Sequence, residues 1–382
     1  MTGSVGPRYT IIVPTRNGIR YLPYTVDSVL SQSRDDFELI VSDNHSSDGT
    51  ADYLAGLSDP RVVKLRPDDE LPMTAHFEFA LSHARGEWVT IVGDDDAVMP
   101  FFFEHLDALE LETIGVDAIG FRRAYYFWEG CQELYGEAVV SYEPSRRSSV
   151  ANNNWALFLA VCSITSYQDL PQLYTTGVVR KDFIDRIKER SGGRFFHGAA
   201  PDVASAVILA INAPAHFRSG QPIFWTGTSP KSVGYSLGSQ VSKSRSKEYE
   251  QQNARHRTDS DKRLPERLYE KMDFSVLLYD AVLRCPGAPR FWSSAIMRYF
   301  FIAGLVLRGG EGGKAALEAY GSPMLRVGIV PFVVALAVVK RLRKALTRRT
   351  EKSSRKFRLK STDRSAFPTI AHASRHVQRR PD

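Results

Sequence analysis

The chain has 382 residues, 43% of them hydrophobic and 24% charged, with a formal net charge of +7. That apolar content suffices for a large core, consistent with one catalytic domain plus appendages. Three widely spaced cysteines, Cys131, Cys162 and Cys285, exclude a disulfide framework and a zinc spacing, and suit a reducing cytoplasm. Residues 1–8 contain no apolar signal-peptide core, and no repeat of solenoid period is visible. The positive charge sits at one end. From Lys340 onward 15 Lys or Arg and 3 Asp or Glu give +12, whereas the first 339 residues hold 35 basic and 40 acidic residues. Nucleic acid is therefore not expected as a partner of the main body.

Tyr9–Val13 reads as a first buried strand, stopped by the turn formers Pro14-Thr15-Arg16-Asn17-Gly18. A helix follows with Leu22, Val26, Val29 and Leu30 on one face. Phe37–Val41 is a second strand, ended by Ser42-Asp43-Asn44. A helix through Tyr53 and Leu54, a short strand at Val62–Leu65, and a helix from about Thr74 to Arg85, closed by Gly86, come next. Trp88–Val92 is another strand, and it runs into Gly93-Asp94-Asp95-Asp96. Strand and helix alternate, which predicts a parallel sheet with right-handed crossovers. In such sheets ligands bind beyond the carboxyl ends of the strands. Thr15, Arg16, Asp43 and the acidic triplet all fall at such ends.

Three adjacent carboxylates at a strand exit repel one another and resist leaving water. A divalent cation among their oxygens relieves both costs, and a hard ion such as Mg2+ or Mn2+ leaves room for phosphate oxygens. The competing reading is a polar turn that caps the next helix. The stretches IIVPTRN at 11–17, VDSVLSQSRDDFELIVSDNHSSDGT at 26–50 and ARGEWVTIVGDDDAVMP at 84–100 occur in order. With them, residues 9–100 resemble the nucleotide-binding half of family-2 glycosyltransferases. The resemblance implies a GT-A type, Rossmann-like mixed α/β sheet flanked by helices. It implies that Asp43 contacts the nucleotide base, flanked by the loop carrying Pro14, Thr15 and Arg16. It also implies that the triplet touches the donor ribose and holds the metal that bridges the diphosphate. Asp94 is favoured for the ribose, and Asp95 and Asp96 for the metal. Arg16 stands where some members of the family carry an aromatic residue.

An inverting transfer needs a base on the sugar face opposite the leaving group. Asp202, just ahead of the apolar run Val207-Ile208-Leu209, is the candidate. The same position suits a helix N-cap; the family resemblance, with its catalytic acid at a helix start about a hundred residues past the metal motif, favours the base. His197 is a weaker candidate for metal, phosphate or acceptor contact. The loop Trp225–Ser236, rich in Gly, Ser and Thr with Lys231, could close over a diphosphate or be an ordinary solvated loop.

Val327–Val339 is uncharged but too short, at about 20 Å, to cross roughly 30 Å of hydrocarbon, and Lys340, Arg341, Arg343 and Lys344 follow it. An interfacial segment on an anionic membrane surface is expected, against the rival reading of core helices. The expected organisation is a glycosyltransferase domain over 1–240, with a nucleotide-sugar half at 9–100 and an acceptor half at 101–240. A helical C-terminal region at 241–339 and a disordered basic tail at 340–382 follow. Residues 118–121 and 124–128 are expected to continue the sheet, and 151–216 to be largely helical.

The expected function is an inverting, metal-dependent glycosyltransferase, cytoplasmic and peripheral on the inner face of the cell membrane. It would move a sugar from a nucleoside-diphosphate donor to a hydroxyl acceptor, lipid-linked if the C-terminal region meets lipid, in cell-surface polysaccharide or glycolipid synthesis. The alternatives are a sugar-nucleotide nucleotidyltransferase and a non-catalytic nucleotide- or membrane-binding protein.

Overall fold

A computed structural model describes residues 6–111, 115–145, 147–198, 200–232, 234–235, 263–269, 274–320, 328–351 and 359–378. In chain order its strands are β1 (Tyr9–Thr15), β2 (Phe37–Asp43), β3 (Val62–Leu65), β4 (Trp88–Ile91), β5 (Ala97–Val98), β6 (Ala118–Phe121) and β7 (Ala124–Phe127). They continue as β8 (Val140–Tyr142), β9 (Ser149–Asn152), β10 (Gly177–Arg180), β11 (Ala215–Ser219), β12 (Phe224–Thr228) and β13 (Leu359–Ser361). Eight strands form one sheet in the order β3-β2-β1-β4-β10-β6-β11-β9, and five form a second in the order β13-β8-β7-β12-β5.

The first four strands behave as the alternation predicts. β1 runs parallel to β2 and β4, and β2 runs parallel to β3. Side chains on a strand point alternately to its two faces. Ile12, Ile40 and Val89 accordingly join one core, and Ile11, Leu39 and Trp88 join the other. A strand buried on both faces needs the near-continuous apolar runs seen here. The parallel order ends at β10, which lies antiparallel between β4 and β6 and makes the sheet mixed. Because β9, β10 and β11 enter the sheet, residues 151–216 are not simply helical.

Two further expectations change. β6 extends the first sheet, but the two-residue link Arg122-Arg123 carries the chain into β7 of the second. The C-terminal region is helical, as expected, and its helices Phe274–Arg284 and Ala295–Arg308 pack onto the domain. Leu278, Tyr279, Phe301 and Ile302 share one core with Val207 and Leu209 of helix Pro201–Asn212. Of the polar stretch 241–270, expected to be a connector or an exposed helix, residues 263–269 are described and include the helix Glu266–Tyr269; the rest lies outside the described residues. The basic tail is also not structureless throughout. β13 pairs with β8, and helix Ile370–Gln378 follows. Phe367, Ile370, Ala373 and Val377, spaced by three and four, bury against Tyr126 and Trp225. Tyr126 Oη donates to the Phe367 carbonyl at 3.0 Å. Three apolar residues in helical register, with Phe367 just ahead of the helix, outweigh the charged composition around them.

Candidate active site

β1, β2 and β4 end on the same side of the first sheet, at Thr15, Asp43 and the turn after Ile91. That common end brings Thr15 to the triplet: its Oγ1 donates to Asp94 Oδ2 at 2.6 Å. Gly18 makes this approach possible. A Cβ there would stand 2.2 Å from Thr15 Oγ1 and 2.4 Å from Asp94 Oδ2. Helix Leu22–Leu30 braces the turn from below, because Thr25 Oγ1 reaches the carbonyls of Asp94 at 3.0 Å and Asp96 at 2.7 Å.

The crowding of the three carboxylates is met by hydrogen-bond donors, most of them from far along the chain. Lys231 Nζ donates to Asp94 Oδ2 at 2.8 Å. Ser229 and Ser232 hydroxyls donate to Asp95 Oδ2 at 2.6 and 2.7 Å. The backbone N–H groups of Gly93 and Gly227 donate to the two oxygens of Asp96 at 2.8 and 2.7 Å. The loop Trp225–Ser236, which the sequence leaves open between a phosphate loop and a solvated one, thus lies on the triplet through Gly227, Ser229, Lys231 and Ser232. Gly227 is required for it. A Cβ there would sit 1.6 Å from the Asp95 carbonyl oxygen. Burial first, then the neighbouring carboxylate, pushes Asp95 and Asp96 above the usual carboxylate range, against these donors.

Asp94, Asp95 and Asp96 line a cavity of about 730 Å³ together with Pro14, Thr15, Arg16 and Asp202. Arg16 is paired with Glu70 at 3.0 Å. Asp43 is buried at the end of β2 and is not among the cavity-lining residues. Arg66 Nη1 donates to its Oδ2 at 2.5 Å, and the Ser46 backbone N–H and hydroxyl donate to its Oδ1. His197 does not line the cavity either; its Nε2 lies 3.1 Å from the Arg194 carbonyl.

Asp202 does not cap its helix. The N-cap of Pro201–Asn212 is Ala200, and Asp202 lies in the first turn. Its carboxylate turns toward the cavity, where Tyr167 Oη donates to Oδ2 at 2.7 Å. A carboxylate in the first turn is also favoured by the helix dipole. Tyr174 marks the convergence of the acids. Burial pushes its hydroxyl well above the ordinary range, and the charges of Asp96, Asp95, Asp202 and Asp94 add to that push. One phenol therefore feels all four carboxylates. Arg123, from the link between β6 and β7, lines the same cavity and lowers both Asp96 and Tyr167 by its charge. Sequence reasoning missed Tyr167, Tyr174 and Arg123, since nothing local marks them.

A divalent ion of the Mg2+ class is held by one or two carboxylates, with substrate phosphates and water supplying the other oxygens. Among the described residues no cluster of three or more His, Cys, Asp or Glu side chains stands ready for a metal. The side-chain donors to Asp94 and Asp95 all engage Oδ2, so the Oδ1 edges suit such a two-carboxylate, diphosphate-assisted site. Asp96, with both oxygens on backbone N–H groups, fits it less well.

Residues 10–165 match the family model described as glycosyl transferase family 2. EpsE of Bacillus subtilis is 33% identical over 99 residues, covering 25% of this chain and 35% of EpsE. The succinoglycan biosynthesis protein ExoO of Rhizobium meliloti is 29% identical over 94 residues, covering 25% of this chain and 27% of ExoO. The chain thus spans between about a quarter and about a third of the length of these curated relatives. A crystal structure of Staphylococcus aureus TarS 1–349 in complex with UDP-GlcNAc is similar with a TM-score of 0.48 and 15% identity, covering 82% of this chain and 89% of that one. The family match stops before Asp202 and Lys231, whose place in the site rests on geometry alone. Across residues 10–165, the segment that supplies Thr15, Asp43 and the acidic triplet, the chain is similar to glycosyl transferase family 2.

Proposed function

We propose that the protein is an inverting glycosyltransferase that moves a sugar from a nucleoside-diphosphate donor to a hydroxyl acceptor, in cell-surface polysaccharide or glycolipid synthesis. The observation that carries the reading is the opening of Thr15, Asp94, Asp95 and Asp202 onto one cavity, within and just beyond the family-2 segment. The nucleotide lies toward Pro14, Thr15 and Arg16, with Asp43 behind them at the end of β2. Asp95, joined by Asp94, would hold a Mg2+ or Mn2+ ion, and Asp96 braces the turn. When bound, that ion supplies Lewis-acid stabilisation of the departing diphosphate. Lys231 adds a second positive charge at Asp94.

Asp202 takes the proton from the attacking acceptor hydroxyl. Tyr167 holds one of its oxygens, which fixes the carboxylate and leaves the other oxygen for the acceptor. A base in hydrogen-bond reach contributes roughly 10²–10⁴-fold to rate.

The C-terminal helix Val330–Glu351 adds a peripheral membrane contact to this reading. Among the described residues no helix is long and apolar enough to cross a membrane. Val330, Val334, Val338 and Leu342, spaced by four, are 55%, 57%, 52% and 60% exposed, while Leu336 is buried against the protein. With Lys340, Arg341 and Lys344 alongside, that stripe suits the plane of an anionic bilayer.

A panel of nucleotide sugars, incubated with the protein and Mg2+ or Mn2+, tests the reaction. Release of a nucleoside diphosphate is expected. Pyrophosphate release from a nucleoside triphosphate and a sugar phosphate, with no donor cleavage, would replace transfer by nucleotidyl chemistry.

A further inference from the structure

We infer that the acceptor is itself a carbohydrate, seated against an aromatic wall of Tyr125 and Tyr135 that the buried Tyr235 backs; this rests on the glycosyl-transfer reading above. All three line the cavity. Their rings are fixed from behind. Tyr125 stacks on Phe127 at 5.9 Å with the planes 7° apart, and Phe127 lies 4.5 Å from Tyr135. Tyr135 lies 6.2 Å from Tyr235, and Phe127, Cys131 and Tyr235 form a small buried cluster. The hydroxyls are anchored too: Tyr235 Oη donates to the Gly130 carbonyl at 3.0 Å and Tyr125 Oη to Gln168 Oε1 at 3.4 Å.

Two short connections place this wall beside the reacting groups. Gln168 follows Tyr167, which holds Asp202, and Tyr235 lies three residues past Ser232, which holds Asp95. The wall therefore bridges the base on one side and the acidic triplet on the other. Its polar complement is Arg123. Nη2 of Arg123 donates to Gln172 Oε1 at 2.7 Å, and Gln172 donates in turn to the Tyr167 carbonyl at 3.0 Å. The Nε of Arg123 is buried with no hydrogen-bond partner among the described residues.

A pyranose matches that lining. One face of its ring is a flat array of C–H bonds that packs on aromatic rings, and its rim is a ring of hydroxyls that accept from a guanidinium and bond to a side-chain amide. A hydrocarbon chain would fill the aromatic wall but leave the Arg123 N–H unpaired, which is costly when buried. A lipid-linked acceptor satisfies the site only if the unit beside Asp202 is its sugar.

The test uses the full chain and the donor that the nucleotide-sugar panel identifies. Slow cleavage of donor by water sets the baseline. Methyl glycosides of the gluco, galacto, manno and rhamno series are added in turn, and a long-chain alcohol and a serine peptide serve as the other acceptor classes. At least one glycoside should speed nucleoside-diphosphate release saturably by about tenfold or more. Tyr135, 40% exposed, tolerates truncation. Tyr135→Ala should raise the KM for that glycoside about tenfold, with less than about twofold change in nucleoside-diphosphate Kd, and Tyr135→Phe should keep most of the affinity. Stimulation by the alcohol or the peptide and by no glycoside, or by nothing at all, overturns the inference. So does an unchanged glycoside KM in Tyr135→Ala. Failure of every donor to be cleaved even by water would instead remove the glycosyl-transfer reading beneath it.

Discussion

The two halves of this molecule contribute to one acidic site by different physical means. In residues 9–100 each site residue stands where local rules put it, at the carboxyl end of a strand whose apolar run fixes its length and register. In residues 120–235 the contributors are Arg123, Tyr167, Tyr174, Asp202, Ser229, Lys231 and Ser232, which come from a sheet-switching link, a short turn, a helix start and a loop. The first half supplies the carboxylates. The second supplies most of the donors that let them lie together. Neither half is a site alone.

The contrast is sharpest at two glycines. Gly227→Ala drives a Cβ into the backbone carbonyl of Asp95, which cannot rotate away. We expect about 3 kcal/mol or more of lost stability, read as a lower denaturant midpoint. Gly18→Ala meets only the side chains of Thr15 and Asp94, which can move, so its cost should fall on donor affinity. Equal midpoints for the two variants would erase the distinction.

Lys231→Ala removes the far half's charge from the near half's carboxylate. Nucleoside-diphosphate affinity should weaken by about tenfold, measured by calorimetry, since hydrogen bonds to charged groups contribute about 1.5–3 kcal/mol. An unchanged Kd would reduce the loop to scaffolding.

Acid sensitivity separates the halves more finely. Burial lowers His76, beside Ser42 in the nucleotide half, to about 4, against the opposing charges of Asp43 and Asp94. Burial likewise lowers His216, in β11, to about 4. A folded-state value below the ordinary 6.5 means that the unfolded chain binds the extra proton. Stability is therefore full above about pH 6.5 and falls as pH drops toward 4. His76→Gln should remove on the order of 1–3 kcal/mol of that fall, measured by melting at pH 7 and 4.5. Identical pH dependence in the variant would contradict the assignment.

The smallest effect lies outside both halves. Replacing Val334 and Val338 by Asp should release the protein from phosphatidylglycerol vesicles in sedimentation, a shift of about tenfold in partitioning, without touching donor binding. Equal pelleting of both forms would remove the membrane contact.

The same contrast decides how much was legible in the sequence. Strand ends at Thr15, Asp43 and Asp94–Asp96 follow from periodicity and turn formers, so their common position at the carboxyl edge of the first sheet was legible in the sequence. Asp202 was found by its position, but its partner Tyr167 was invisible, because a 35-residue separation carries no periodic signal. Lys231 was visible only as a loop of suitable composition. The β13 strand and the helix Ile370–Gln378 were hidden by charge: the tail's +12 masked the spacing of Phe367, Ile370, Ala373 and Val377.

The claim that the two halves hold separate jobs on one cavity is tested most directly by comparing Asp202→Asn with Asp95→Ala for both donor turnover and nucleoside-diphosphate binding in Mn2+. Asp202→Asn should lose at least about 100-fold in transfer rate while keeping its Kd, and Asp95→Ala should lose metal-dependent binding itself. Full turnover in Asp202→Asn, or nucleotide affinity in Asp95→Ala that still responds to Mn2+ as the unmodified protein does, would contradict it.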